Sequence, residues 1–299
     1  MAASQASVRA AMSHLPSEAA RVPSVLLVLV RFVRTRHWVM WLGVVIIGTI
    51  VIALVAAPWV SPYDPAAQNL LQRLQPPSAA HWFGTDHLGR DAFSRMLFGG
   101  RFSVTVAFAT VMLSVSIGVL AGILSARQGG LLDEIIMRIV DFLLSFPEII
   151  VAMFLVAVLG PGYATAVVAI TMCGWAPFAR LARGLTLEIN ARDYVRAAEI
   201  LGCTRRFIIF RHIIPNAIRP IAAMGFLRFG HMLITVGGLS FLGLGVQPPN
   251  ADWASMLAQS MDYVERAPLL VVMPGLALFV TALSVTWIGQ GLELRGKSE

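Results

Sequence analysis

Charge is scarce in this chain: of its 299 residues only 13% are Asp, Glu, Lys or Arg. A soluble domain carries about 25% to cover its surface. Hydrocarbon is the surrounding that accepts an apolar exterior, and the 57% of hydrophobic residues fall in long uninterrupted runs, which excludes a large soluble core. Lysine is almost missing, with Lys297 the only one among 23 basic residues. Cysteine is scarce too. Cys173 sits in an apolar run and Cys203 in a basic loop, so no disulfide framework or metal-ligand spacing arises and no metal site is assigned. A working nucleotide site is also lacking. Gly291-Leu292-Glu293-Leu294-Arg295-Gly296-Lys297-Ser298 matches the phosphate-loop pattern in letters. That loop functions after a strand and before a helix whose amides hold the phosphates, whereas here an apolar span precedes it and one residue follows.

Six apolar stretches approach the length of about 20 residues that a spanning helix needs: 39–60, 103–126, 132–158, 163–184, 218–242 and 268–290. Residues 1–38 form a polar tail containing a basic-apolar piece, 25–33, too short to span and suited to the membrane surface. No cleavage signal separates it from the first span, so a signal peptide is not expected. The net charge of +7 can point to nucleic acid, but the arginines lie between apolar runs, so no nucleic-acid partner is expected. With the N-terminus inside, the tail with its five Arg, Arg127, the eight Arg of 180–219, and Arg295 with Lys297 place 16 basic residues inside; 61–102 and 243–267 hold five outside. The positive-inside bias therefore puts both termini in the cytoplasm.

Two long external segments are rich in turn residues. The loop at 185–217 differs: it mixes Glu188, Arg192, Asp193, Arg196, Glu199, Arg205, Arg206 and Arg211 with Ile, Leu and Phe. It reads as a surface helix–turn–helix with one apolar face, turning at Gly202 and ended by Pro215. Charges within spans are functional hypotheses by default. Glu148, Arg228 and His231 are candidates for the substrate path; Arg138 and Asp141, three apart, are expected to neutralise each other. Pro147 and Pro177 are expected to kink their spans. Outside, His81, Asp86, His87 and Asp91 fit no hydrolase or metal pattern and read as solvated turn residues. No catalytic residue is assigned. A metal contact at His231 is disfavoured, because adjacent His231 and Met232 point apart on a helix.

Three segments carry a family resemblance. The loop runs Asp193-Tyr194-Val195-Arg196-Ala197-Ala198-Glu199-Ile200-Leu201-Gly202, then nine residues, then His212-Ile213-Ile214-Pro215-Asn216. His81-Trp82-Phe83-Gly84-Thr85-Asp86-His87-Leu88-Gly89-Arg90-Asp91 precedes it, and Leu239-Ser240-Phe241-Leu242-Gly243-Leu244-Gly245 follows. Together with Met137-Arg138 through Asp141 to Phe146-Pro147, these resemble the dipeptide/oligopeptide/nickel family of ABC-importer permeases, in its C-type subunit. The likeness runs from about residue 60 to 285. It implies an all-α integral membrane protein of the type I importer fold with a cytoplasmic coupling helix. It further implies a second homologous permease, two ATP-binding subunits carrying ATP and Mg, an extracytoplasmic solute-binding protein and a bacterial inner membrane. On that pattern Arg196, Ala197, Ala198, Glu199, Gly202 and Pro215 couple to the ATPase, while Asp86, His87, Arg90 and Asp91 face the binding protein. The domain organisation becomes a tail (1–38), a first span (39–60), an external segment (61–102), a core with five spans (103–290) and a cytoplasmic tail (291–299). Short peptides are the expected cargo. Gly230-His231-Met232, and Val236 where peptide permeases often carry an acid, resemble nickel-type members and keep nickel or a metal chelate as the alternative. An ion-coupled secondary transporter would show two related halves, and no internal repeat is evident.

Overall fold

A computed structural model describes residues 37–296, and every regular element among them is helical. The expected surface piece at 25–33 lies outside the described residues, as do the rest of the tail to residue 36 and residues 297–299. Five helices are long and apolar enough to cross a membrane, or six if one bent pair is a single span. Helix α1 (His37–Val55) is apolar all round and leaves Trp41, Val45 and Ile52 more than half exposed. Helix α2 (Ala92–Gln128) has 37 residues. At 1.5 Å per residue it reaches about 55 Å, against a hydrocarbon core of about 30 Å. It starts well before the expected residue 103 because Asp91 caps it, accepting a 2.7 Å hydrogen bond from the Ser94 amide.

The expected third span, 132–158, is broken. Helix α3 (Gly130–Leu144) and helix α4 (Glu148–Leu159) meet at 89°. Pro147 stands at the break with extended backbone (φ −60°, ψ 120°); it lacks an N–H and disfavours helical geometry in Phe146 before it. Helix α5 (Tyr163–Asn190) runs on through Pro177 and past the expected end at 184. Helix α6 (Asp193–Ile200) follows, then a turn, a helical start at Arg205–Ile208, a π-turn at Ile209–Ile213 and helix α7 (Ile214–Phe241). Helix α8 (Trp253–Ser260) is short, and helix α9 (Leu269–Gly296) continues past the expected boundary at 290. Gly291 to Gly296 is therefore membrane-helix end, with no strand before it.

Small residues set the packing. Ser114, Gly118 and Gly122 recur every four residues on α2 and face α5. A Cβ at Gly118 would come 2.5 Å from the Trp175 carbonyl, and one at Gly122 would come 2.4 Å from that of Ala179. In lipid no hydrophobic force drives two apolar helices together, so close backbone approach and dispersion must do it. The same device joins α7 to α9, where a Cβ on Gly289 would lie 2.9 Å from Leu227 Cγ, and α1 to α9, where one on Gly43 would lie 2.5 Å from the Ser284 carbonyl. One core surrounds Val106, Ile170, Met232 and Leu239 at the centre of the bundle. A second, with Ile189, Val195, Ile208 and Ile213, sits beneath the α6 loop.

Candidate functional site

The α6 loop is built as a rigid projection. Val195, Ile208 and Ile213 bury completely or almost so against Ala182, Ile189 and Ala217 of the bundle, which fixes its base. Glu199 accepts a 2.9 Å bond from Arg127 at the end of α2, and Arg127 also donates to Asn190 Oδ1 at 3.1 Å. Gly202 closes α6 with φ +80°. The Gly202 amide donates to the Glu199 carbonyl and the Cys203 amide to that of Ala198, each at 3.0 Å, the paired bonds of a left-handed helix stop. Nothing lies within 4 Å of where its Cβ would be, so glycine is required there by the backbone turn alone.

Arg196 and Ala197 are exposed and Ala198 half-buried, so the loop's small residues face outward. The sequence reading missed the most conspicuous feature. Ile200 and Leu201 are 85% and 82% exposed where the loop turns at Gly202, and Phe207 and Phe210, further along the same loop, are also exposed. Two bulky apolar residues just before a turn glycine in a charged loop were the available signal. Apolar side chains left exposed on a charged loop are the kind of surface that another protein covers. Pro215 corrects an expectation. It does not end the loop's second helix but sits in the first turn of α7. The chain stays helical across it because the π-turn accommodates the missing N–H, and Asn216 Nδ2 bonds the His212 carbonyl at 2.6 Å.

The intramembrane charges pair differently from expectation. Arg138 and Asp141 do not neutralise each other: Arg138 lies 3.6 Å from Glu134, and Asp141 accepts from Arg180 of α5. An i,i+4 partner on the same helix and a cation from a packed helix both lie closer than the i,i+3 neighbour. Asp133 takes both prongs of Arg183 at 2.6 Å and a bond from Ser125, clamping α3 between α2 and α5. Glu148, the first residue of α4, meets Arg228 of α7 at 3.1 Å. The structure therefore brings two of the three path candidates together; His231, three residues after Arg228 on α7, is exposed.

At the opposite end of the bundle the 84–91 segment is buried, which corrects its reading as solvated turns. Asp86 binds Arg90 Nε at 2.7 Å and lies 3.4 Å from Arg95 Nε. Asp91 binds His81 Nδ1 at 2.9 Å. Gly84 and Gly89 have positive φ, and a Cβ at either would also strike the Gln75 or Asn69 carbonyl, so glycine is required at both on two counts. The side chains of Asp86, Arg90 and Asp91 are thus used within the chain, and His87 alone of the four is only half-buried, stacked on Tyr263 with ring centroids 5.7 Å apart. Burial lowers the pKa of His87. Asp252, unremarked in the sequence, caps α8 by accepting from the Ala254 and Ser255 amides at 2.9 and 3.1 Å. Its burial pushes its carboxyl above the usual range.

A family model described as "Binding-protein-dependent transport system inner membrane component" matches residues 118–297, and one described as the N-terminal TM domain of oligopeptide transport permease C matches 28–77. The chain is 35% identical to the nickel transport system permease protein NikC of Escherichia coli (strain K12), covering 87% of this chain and 94% of that protein. It is 40% identical to the probable D,D-dipeptide transport system permease protein DdpC of the same strain, covering 83% of each. It is also 40% identical to the glutathione transport system permease protein GsiD of Pectobacterium atrosepticum, covering 88% of this chain and 87% of that one. The fold resembles a chain of the inward-facing MetNI methionine ABC transporter, with a TM-score of 0.54 and 16% identity over 67% of this chain and 97% of that one.

Proposed function

This chain belongs to the family of binding-protein-dependent transport system inner membrane components, and from that premise we propose that it is the C-type permease half of an importer of short peptides. A second, homologous permease completes the pore. An extracytoplasmic solute-binding protein delivers cargo, and two ATP-binding subunits with ATP and Mg dock on the α6 loop. Both termini lie in the cytoplasm of a bacterial cell. The observation that carries the coupling role is the exposed Ile200–Leu201 tip on a base locked by Val195, Ile208 and Ile213. A rigid lever with an apolar end transmits displacement, because packed elements shift as bodies rather than deform. Arg196, Ala197, Ala198, Glu199, Gly202 and Pro215 shape or present it.

ATP binding draws the two nucleotide subunits together and rocks the permeases from inward-open to outward-open. The cargo alone cannot drive this cycle, since a ligand shifts an equilibrium only by its differential affinity for the two states. The peptide reading is supported by relatives named for dipeptide and glutathione transport. Nickel is the second reading, favoured by the NikC likeness. Labelled dipeptide and labelled nickel uptake, measured in cells with and without this chain, separates the two. Loss of dipeptide uptake alone is expected; loss of nickel uptake alone would transfer the proposal to nickel, and no change in either would reject both cargoes.

A further inference from the structure

Arg183 and Asp133 show how a structural ion pair is built in this chain, with two parallel bonds at 2.6 Å and a serine on the same carboxylate. Glu148 and Arg228 are built otherwise. They share one bond, Nη1 to Oε2 at 3.1 Å, and their side chains remain 17% and 21% exposed. The second oxygen of Glu148, Oε1, is buried and accepts no hydrogen bond among the described residues. Leaving a buried charged acceptor unfilled is costly, so this pair is not closed upon itself. Its place is equally telling. Arg228 lies halfway along the 28 residues of α7, and Glu148 begins α4 at the 89° break.

A second set of charges precedes it in the chain, on α3. Glu134, Arg138 and Asp141, at i, i+4 and i+7, share one side of α3, and their side chains and that of Arg180 are each more than half exposed. Lipid does not accept three such charges on one face of α3 with Arg180 of α5 beside them, so in the assembled importer this face meets water or the second permease. Each ion pair along it carries one positive and one negative group, giving no net charge to attract a simple cation or anion. A molecule carrying both a cationic and an anionic end matches that pattern.

We propose that Glu148 and Arg228 form a recognition latch in the aqueous path that opens to take the free amino and carboxylate ends of a zwitterionic peptide, Glu148 binding the ammonium and Arg228 the carboxylate. The latch rests on the peptide-importer reading. In the closed form each group satisfies the other; a passing peptide exchanges one ion pair for two.

The test uses the complete transporter with its binding protein in ATP-loaded proteoliposomes, reading labelled dialanine uptake. The variants are Glu148→Gln, Arg228→Gln, the double Gln variant, and the charge exchange Glu148→Arg with Arg228→Glu. Membrane abundance and ATP hydrolysis report assembly. Loss of a charge-assisted hydrogen bond is expected to lower uptake about tenfold or more in each single Gln variant, with ATP hydrolysis within about twofold of wild type. The exchanged pair can re-form but presents its charges in the wrong order, so uptake stays low in an assembled, ATP-hydrolysing complex. Restored uptake in the exchange variant would show a pair that only holds helices, and overturn the latch. If the exchange variant does not assemble, the double Gln variant decides: wild-type uptake overturns the latch, and lost uptake with intact ATP hydrolysis supports it. Failure of the wild-type transporter to take up dialanine would instead overturn the peptide reading beneath it.

Discussion

Replacing Gly202 tests the lever at its narrowest point. The residue holds φ +80° with open space around its Cβ position, so alanine there meets no clash and the whole penalty is conformational. Placing an L-residue in left-handed geometry costs about 1–2 kcal/mol, enough to shift the turned form against an unwound or extended α6 by a factor of about 5–30. The turn carries no apolar core of its own, and the buried anchors Val195, Ile208 and Ile213 lie on either side of it, so Gly202→Ala should leave membrane abundance unchanged. Uptake should fall severalfold, and Gly202→Asp should abolish it by adding a charge beside the apolar tip. Gly243→Ala is the matched control: Gly243 has φ +79° and nothing within 4 Å, and it closes α7 with the same pair of bonds, its own amide to the Ser240 carbonyl and the Leu244 amide to that of Leu239, so it carries a similar strain outside the loop. Uptake and abundance measured side by side decide the matter. Wild-type uptake in Gly202→Ala, equal losses in Gly243→Ala, or loss of membrane insertion would each refute the reasoning.

Leu201→Ser removes an 82% exposed side chain; it should leave abundance untouched and lower uptake and co-purification of the ATP-binding subunits. Gly122→Leu forces a side chain to within 2.4 Å of the Ala179 carbonyl, so it should cost on the order of 3 kcal/mol or more and lower the amount of folded protein in the membrane. Asp252 gives a pH signature. Its folded pKa is raised by burial, so its contribution to stability is full below the ordinary carboxylate range, about pH 4, and is lost as pH rises through the folded value. Asp252→Asn keeps an acceptor for the Ala254 and Ser255 amides; its melting temperature in detergent should gain on wild type as pH rises above about 4, and parallel curves would reject the assignment.

The spans were legible because apolar length alone specifies them, and the loop because Ala197, Ala198, Gly202 and Pro215 stand at a recognisable spacing. What the sequence hid depends on packing. Arg138 and Asp141 are neighbours on a helix, yet Asp141 finds Arg180 thirty-nine positions away, a partner that only the docking of α3 on α5 supplies. Glu148 and Arg228 were each singled out, but not as a pair, for the same reason. Asp86, Arg90 and Asp91 resemble a solvated turn in one dimension. They are buried because Gly84 and Gly89 fold residues 69–91 back on themselves. Pro147 was visible as a kink but not as an 89° turn, and Pro215 as a helix stop although a π-turn carries the helix through it.

The most direct test of the central claim, that the α6 loop is the seat of an ATP-hydrolysing partner, is crosslinking from its tip. Cys173 and Cys203, both free, would be replaced by serine and Leu201→Cys introduced in the assembled transporter. A short bifunctional reagent applied to membranes should join position 201 to an ATP-binding subunit, more efficiently or less so when ATP is bound. A crosslink to the solute-binding protein instead, or none in a complex that still transports, would contradict it.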